Sequence, residues 1–146
     1  MEPISFDYRV SNLCNYKCRM CGEQLSSTWE TEKRQHGHWT PESQPFMIPE
    51  NKEIIQKFQK EVVEEEFWDS ICRGIVEEIY WVGGEPLMYD IHWRAMNRLS
   101  DDDNLKHVHL RYNSNLSRVR YGQHYLYDWL PRAKDWTMCA LSLIHI

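Results

Sequence analysis

With 146 residues, of which 42% are hydrophobic and 13% aromatic, the chain has the size and apolar content of a single folded domain, which excludes a disordered polymer. Its net charge of -5 and sequence pI near 5.8 exclude the broad basic field that draws proteins onto nucleic acid or anionic lipid. No apolar run approaches the roughly 20 residues that span a bilayer, and Met1-Glu2-Pro3-Ile4 lacks the basic-then-apolar start of a secretory signal. A cytoplasmic protein with neither nucleic acid nor membrane as partner is expected.

In chain order, Ile4 to Val10 alternates apolar with smaller or polar residues and stops at Ser11-Asn12, which predicts a strand and a turn. A cysteine-bearing loop follows. Glu23 to Arg34 contains good helix formers and sets Glu30 four residues before Arg34, so it predicts the first helix. His36 to Asn51, with Gly37, Pro41, Pro45 and Pro49, reads as a surface excursion or substrate-side lid. Asn51 is placed as the cap of a helix carrying Ile54, Ile55, Phe58 and Val62 at three- and four-residue spacing. That helix is expected to reach Glu64-Glu65-Glu66, with Phe67 to Cys72 as a second helical piece. Val76 to Val82 is rich in β-branched and aromatic residues and ends at Gly83-Gly84, a buried strand entering a tight turn. A helix over 90–99, a turn at 101–104, a strand over 107–112, a helix over 121–130 stopped by Pro131, and a strand over 136–143 complete the series.

Strands alternating with helices indicate an α/β domain with a parallel sheet and crossover connections. Ligands of such sheets bind at the carboxyl ends of the strands, where loops converge. Three candidate motifs fall there, each directly after a strand.

The first is Cys14-Asn15-Tyr16-Lys17-Cys18-Arg19-Met20-Cys21. Five cysteines is an odd count, and three within eight residues are too close to staple distant parts of a fold, so metal ligation in a reducing compartment fits better. The number three is informative. A four-iron cluster held by four thiolates is coordinatively closed, whereas one held by three keeps an iron open to a ligand. A zinc site completed by His36 or His38 is the competing reading of these cysteines alone.

This loop, with its C-x3-C-x2-C spacing after the first strand, resembles the radical S-adenosylmethionine (SAM) superfamily, of the SPASM/twitch-like kind. Gly83-Gly84-Glu85-Pro86 after the second strand matches the family's GGEP motif. The resemblance implies a [4Fe-4S] cluster on Cys14, Cys18 and Cys21, with SAM chelating the open iron and Gly83, Gly84, Glu85 and Pro86 at its amino group. It implies reductive cleavage of SAM to methionine and a 5'-deoxyadenosyl radical, which takes a hydrogen atom from a peptide, protein or small-molecule substrate. The electron donor it implies is a protein such as flavodoxin or ferredoxin. Glycines let a backbone approach a ligand closely, and Glu85 offers an anion to an ammonium group. Met20 stands where the family usually has an aromatic residue, and its polarizable thioether can pack on adenine. Asn113 and Asn115, in Asn113-Ser114-Asn115 after the third strand, are carried over as SAM or substrate contacts. Their competing reading is a turn closed by an Asx bond.

The fold implied is a parallel (β/α) partial TIM barrel, truncated after about four strands, with residues 1–146 as the front part of one core domain. The tail 143–146 resembles translated sequencing-adapter read-through and is set apart as not necessarily native. Such a cut is expected to leave an open sheet edge and an uncovered apolar face. The rival functions are a zinc- or iron-sulfur-binding module without catalysis and a degenerate SAM-binding subunit. Cys72 and Cys139 are expected as buried small hydrophobes, and His107 and His109 as packing or surface residues two apart on one strand.

Overall fold

The computed structural model describes residues 2–9, 11–38, 40 and 45–140. In chain order these form β1 (Ser5–Tyr8), α1 (Ser27–Gln35), α2 (Pro49–Phe58), α3 (Glu64–Cys72), β2 (Glu78–Trp81), α4 (Asp90–Asp101), β3 (His109–Ser114), β4 (Arg120–Tyr121), β5 (His124–Tyr125), α5 (Leu126–Trp129) and β6 (Asp135–Ala140). A four-stranded sheet in the order β1-β2-β3-β6 is parallel throughout, with Phe6 beside Ile79, Ile79 beside Leu110 and Leu110 beside Trp136. The chain is therefore a mixed α/β domain, as the alternation of patterns predicts. Among the described residues no helix is long and apolar enough to cross a membrane.

One face of the sheet is buried under α3 and α4. Ile79, Trp81 and Leu110 are fully buried there and Phe67 of α3 packs edge-on to Phe6 and Trp81. Side chains alternate along a strand, so Ser5, Asp7, Glu78, Tyr80, His109 and Arg111 point the other way, and none of them is buried. That face is not apolar, contrary to expectation. Ser5 Oγ donates to Glu78 at 3.1 Å, Arg111 donates to Glu78 at 3.2 Å and lies 4.6 Å over the Tyr80 ring, and Arg9 makes two 3.0 Å bonds to Asp7. The period of two already carries this polarity in the strand sequences.

Several boundaries move for local reasons. The first helix begins at Ser27 because Ser26 caps it, its Oγ accepting from the Trp29 amide at 3.3 Å. The second helix begins at Pro49, with Pro at its first turn and Ile48 before it; Asn51 is no cap and instead donates to Pro45 O at 2.8 Å. A π-helical stretch, Gln59–Val63, carries α2 straight into α3. The helix expected over 121–130 is only the four-residue α5. Gly122, at φ +58, turns the residues before α5 into the antiparallel β4–β5 hairpin, where Tyr121 stacks on Trp93. The strand expected over 107–112 starts at His109, because Leu105–His107 is a 3-10 turn, so His107 and His109 do not share a strand. Cys72, at the end of α3, and Cys139, on β6 with no layer over it among the described residues, are exposed rather than buried. The strand expected over 136–143 is observed to Ala140; residues 141–146 lie outside the described residues, as do Pro41 and its neighbours in the proposed lid.

A candidate cofactor rim at the strand ends

The cysteine loop is held by the start of α1. Ser27 donates its amide to Asn12 O at 2.7 Å, and its hydroxyl bridges the Cys14 amide and the Cys14 carbonyl at 3.1 Å each. The fully buried Ser26 hydroxyl donates to Tyr16 O at 2.6 Å, Thr28 reaches the same carbonyl at 2.8 Å, and the Trp29 indole donates to Cys18 O at 2.9 Å. The run Ser26-Ser27-Thr28-Trp29 thus acts as a template for the loop as well as a helix start. Below it, Asn12 Nδ2 donates to Glu23 O at 2.8 Å and to the buried Glu30 carboxylate at 2.7 Å, which also meets Arg34 and Lys52. Burial pushes Glu30 up, but Asn12, Lys52 and Arg34 together hold it below the ordinary carboxylate range.

All three thiols are free, Cys14 buried and Cys18 and Cys21 half-buried. Cys14 Sγ accepts from the Tyr16 amide at 3.5 Å and from Asn115 Nδ2 at 3.7 Å. Burial pushes Cys14 up, the Tyr16 amide opposes it, and Glu85 and Cys18 add to the rise. Burial also raises Cys21, with Cys18 and Cys14 adding to it, so the three sulfurs lie near enough to repel one another as anions.

The Gly83-Gly84-Glu85-Pro86 turn is bonded directly to this loop. The Gly84 amide donates to Ser11 O at 3.1 Å and the Glu85 amide to Leu13 O at 2.7 Å. Gly84 allows this approach, since a Cβ there would stand 2.3 Å from Leu13 O; Gly83 adopts φ +118, which side chains rarely tolerate. Tyr89 locks the junction: its hydroxyl donates to Ser11 O at 2.6 Å and accepts from Gly84 N at 2.8 Å, and burial pushes its pKa up to about 12.

Glu85 makes the second lock. Its carboxylate is 1% exposed and accepts from the Leu87 amide at 3.1 Å, the Ser114 hydroxyl at 2.7 Å and the Asn115 amide at 2.6 Å. Burial raises its pKa against these three donors. As placed, the carboxylate ties the glycine turn to the end of β3. Asn115 then reaches the first motif, donating to Asn15 Oδ1 at 3.2 Å as well as to Cys14, while its own Oδ1 accepts from Ser117 N at 2.9 Å in an Asx turn. The Asx reading of Asn115 is thus observed, and its side-chain amide faces the cysteine loop.

The structure brings Cys14, Cys18, Cys21, Gly83, Gly84, Glu85 and Asn115 onto one rim. Pro86 is buried at the start of a 3-10 turn, Met20 is 80% exposed beside Cys21, and Asn113 lies on the open face of β3 beside Cys139. Among the described residues no three His, Cys, Asp or Glu side chains converge on a point that could hold a single metal ion. The residues that sequence reasoning missed are Asn12, Ser26, Ser27, Trp29, Tyr89 and Ser114. A Ser-Ser-Thr cluster beside a cysteine loop was a usable signal; Tyr89 had none. Compared with protein-family models, curated proteins and solved structures, the chain matches none.

Proposed function

We propose that this rim is the cluster- and SAM-binding site of a radical SAM enzyme, and that the sheet is the front part of a parallel (β/α) partial barrel. The observation that carries the reading is the pairing of the two motifs: Glu85 N to Leu13 O at 2.7 Å and Gly84 N to Ser11 O at 3.1 Å make the cysteine loop and the glycine turn one structural unit. β1 and β2 are neighbouring parallel strands, so these two motifs share the end of the sheet at which ligands of such sheets bind.

The donor set fits an iron-sulfur cluster. Three free thiols sit on one loop, and Cys14 receives two N–H donors of the kind that tune cluster sulfurs. A zinc ion needs its ligands to meet at one point about 2.3 Å from each sulfur, whereas each thiolate of a cluster takes a different iron. The want of a single-ion focus therefore does not weigh against a cluster. Cys14, Cys18 and Cys21 would hold it. When bound, the cluster would supply the one-electron reduction that cleaves a carbon-sulfur bond of SAM, with a flavodoxin- or ferredoxin-like protein as electron source.

The chain's own groups have simpler tasks. Ser26, Ser27 and Trp29 fix the loop so that the thiolates are presented together. Gly83 and Gly84 bring main chain, without side-chain bulk, to the edge of the site. Glu85 holds Asn115 and, through it, the hydrogen bond to Cys14. Met20 offers an exposed apolar side chain to an adenine ring. The substrate is a peptide, protein or small molecule that gives up a hydrogen atom.

Anaerobic reconstitution with iron and sulfide tests the assignment. The expected result is about four iron and four sulfide per chain, with 5'-deoxyadenosine released from SAM under dithionite and lost in Cys18→Ala. Stoichiometric zinc without iron contradicts the cluster. A full cluster that leaves SAM intact contradicts the catalytic part and leaves a SAM-binding subunit.

A further inference from the structure

We propose that the free edge of β1, with the wall formed by α2 and the π-helical stretch, binds an extended, uncharged peptide segment as an added strand. Among the described residues β1 is the end strand of the sheet. The Ile4 and Tyr8 carbonyls accept from Glu77, Glu78 and Val82 on the β2 side. Main-chain groups alternate in direction along a strand, so Ser5, Asp7 and Arg9 turn theirs to the open side. On that side lies a groove of about 610 Å³ between Asp7, Tyr8 and Arg9 on one wall and Ile55, Phe58 and Gln59 on the other. A second hollow of about 280 Å³ shares Arg9, Ile55 and Gln59 with it and reaches Asn12 and Gly83. The trough thus leads from the strand edge to the cofactor rim.

Three observations point to a peptide. First, Gln59, at the start of the π stretch, donates its side-chain amide to the outward Arg9 carbonyl at 3.2 Å. That bond is of the kind an incoming strand supplies, and at Arg9 such a strand would take the place of the Gln59 side chain. Second, Ile55 and Phe58 are 41% and 57% exposed along the opposite wall, in reach of the alternate side chains of such a strand. Third, the charged lining residues, Asp7, Arg9, Lys60 and Glu64, sum to zero, and Asp7 is paired with Arg9. Main-chain pairing, apolar contact and no net charge suit an uncharged extended segment. That this segment is the substrate rests on the reading of the rim given above; that it binds does not.

NMR titration of the 15N-labelled chain without metal or SAM tests the proposal. The probe is Ac-Thr-Leu-Thr-Leu-Thr-NH2, compared with two analogues N-methylated at the threonines or at the leucines. The parent peptide is expected to shift the Ser5, Asp7 and Arg9 amides with a Kd of about 1 mM. Affinity should fall at least about tenfold in one methylated analogue, whose removed N–H groups faced the edge, and in Phe58→Ser, a change at an exposed position outside the core. Absence of shifts up to about 10 mM, shifts confined to another surface, or equal binding by both methylated analogues overturns it. Edge shifts that grow with protein concentration alone assign the groove to a second copy of this chain and also overturn it. Since neither cluster nor SAM is present, failure here leaves the cofactor assignment standing, and failure of that assignment leaves these shifts unchanged.

Discussion

The body of the sheet and its rim are held by different physics. In the body, Phe67, Ile71, Ile79, Trp81 and Leu110 are all fully buried and the stabilising quantity is apolar area, shared among many contacts. At the rim, single polar side chains each join two loops: Tyr89 ties the glycine turn to the cysteine loop, and Glu85 ties that turn to the end of β3. Loss in the body is graded, because neighbours relax into space. Loss at the rim is discrete, because a buried donor without an acceptor has no partial substitute.

The largest effect is expected in the body. Phe67→Ala removes a ring packed on Phe6, Tyr8 and Trp81 and should cost about 3–5 kcal/mol, read as a lower urea midpoint. At the rim, Glu85→Ala leaves the Ser114 hydroxyl and the Leu87 and Asn115 amides without their acceptor and should cost about 2–3 kcal/mol. Gly84→Ala places a Cβ against the Leu13 carbonyl and should cost about 1–3 kcal/mol, with separation of the two loops visible as faster hydrogen exchange at the Glu85 amide. Ser26→Ala removes a cap and the Tyr16 bond together and should cost about 1 kcal/mol in the same urea assay.

A pH experiment separates the regions differently. His92 is fully buried between Trp81 and Trp93, its Nε2 sharing a 3.0 Å hydrogen bond with the Tyr112 hydroxyl while Nδ1 has no hydrogen-bond partner among the described residues. Burial lowers its pKa to about 3. The unfolded chain, with histidine near 6.5, then binds the extra proton, so this contribution is complete above about pH 6.5 and is lost as pH falls toward 3. The slope should reach about 1.4 kcal/mol per pH unit. In His92→Phe the slope between about pH 6.5 and 4.5 should drop by that amount, although stability at pH 7 falls as Tyr112 loses its partner. An unchanged slope would place the titration elsewhere. Below that window Glu23, lowered by Lys33, and Glu30 add their own loss as they protonate.

Much of the body was legible in the sequence. Runs such as Glu78-Ile79-Tyr80-Trp81 announce a strand through their residue types, and the turn after each one marks its end. The polar open face was legible too, since Ser5, Asp7, Glu78, Tyr80, His109 and Arg111 alternate with apolar neighbours; expecting an apolar face meant overlooking that period. The cysteines and glycines were visible because their spacing is local. Their locks were not: Tyr89 meets Ser11 across 78 positions, and a single hydrogen bond between distant residues leaves no periodic trace. The β4–β5 hairpin was missed because Gly122 was read inside a helix rather than as the left-handed residue of a turn. Glu85 was legible as a motif member, but its burial and its bonds to Ser114 and Asn115 depend on how β3 sits beside β2.

The central claim is that the cysteine loop and the glycine turn form one site, and electron paramagnetic resonance of the reduced, reconstituted chain tests it most directly. Adding SAM should change the signal of the cluster. Gly84→Ala, which parts the turn from the loop while leaving Cys14, Cys18 and Cys21 in place, should keep the iron and lose that response. A wild-type cluster whose signal is the same with and without SAM would contradict the account.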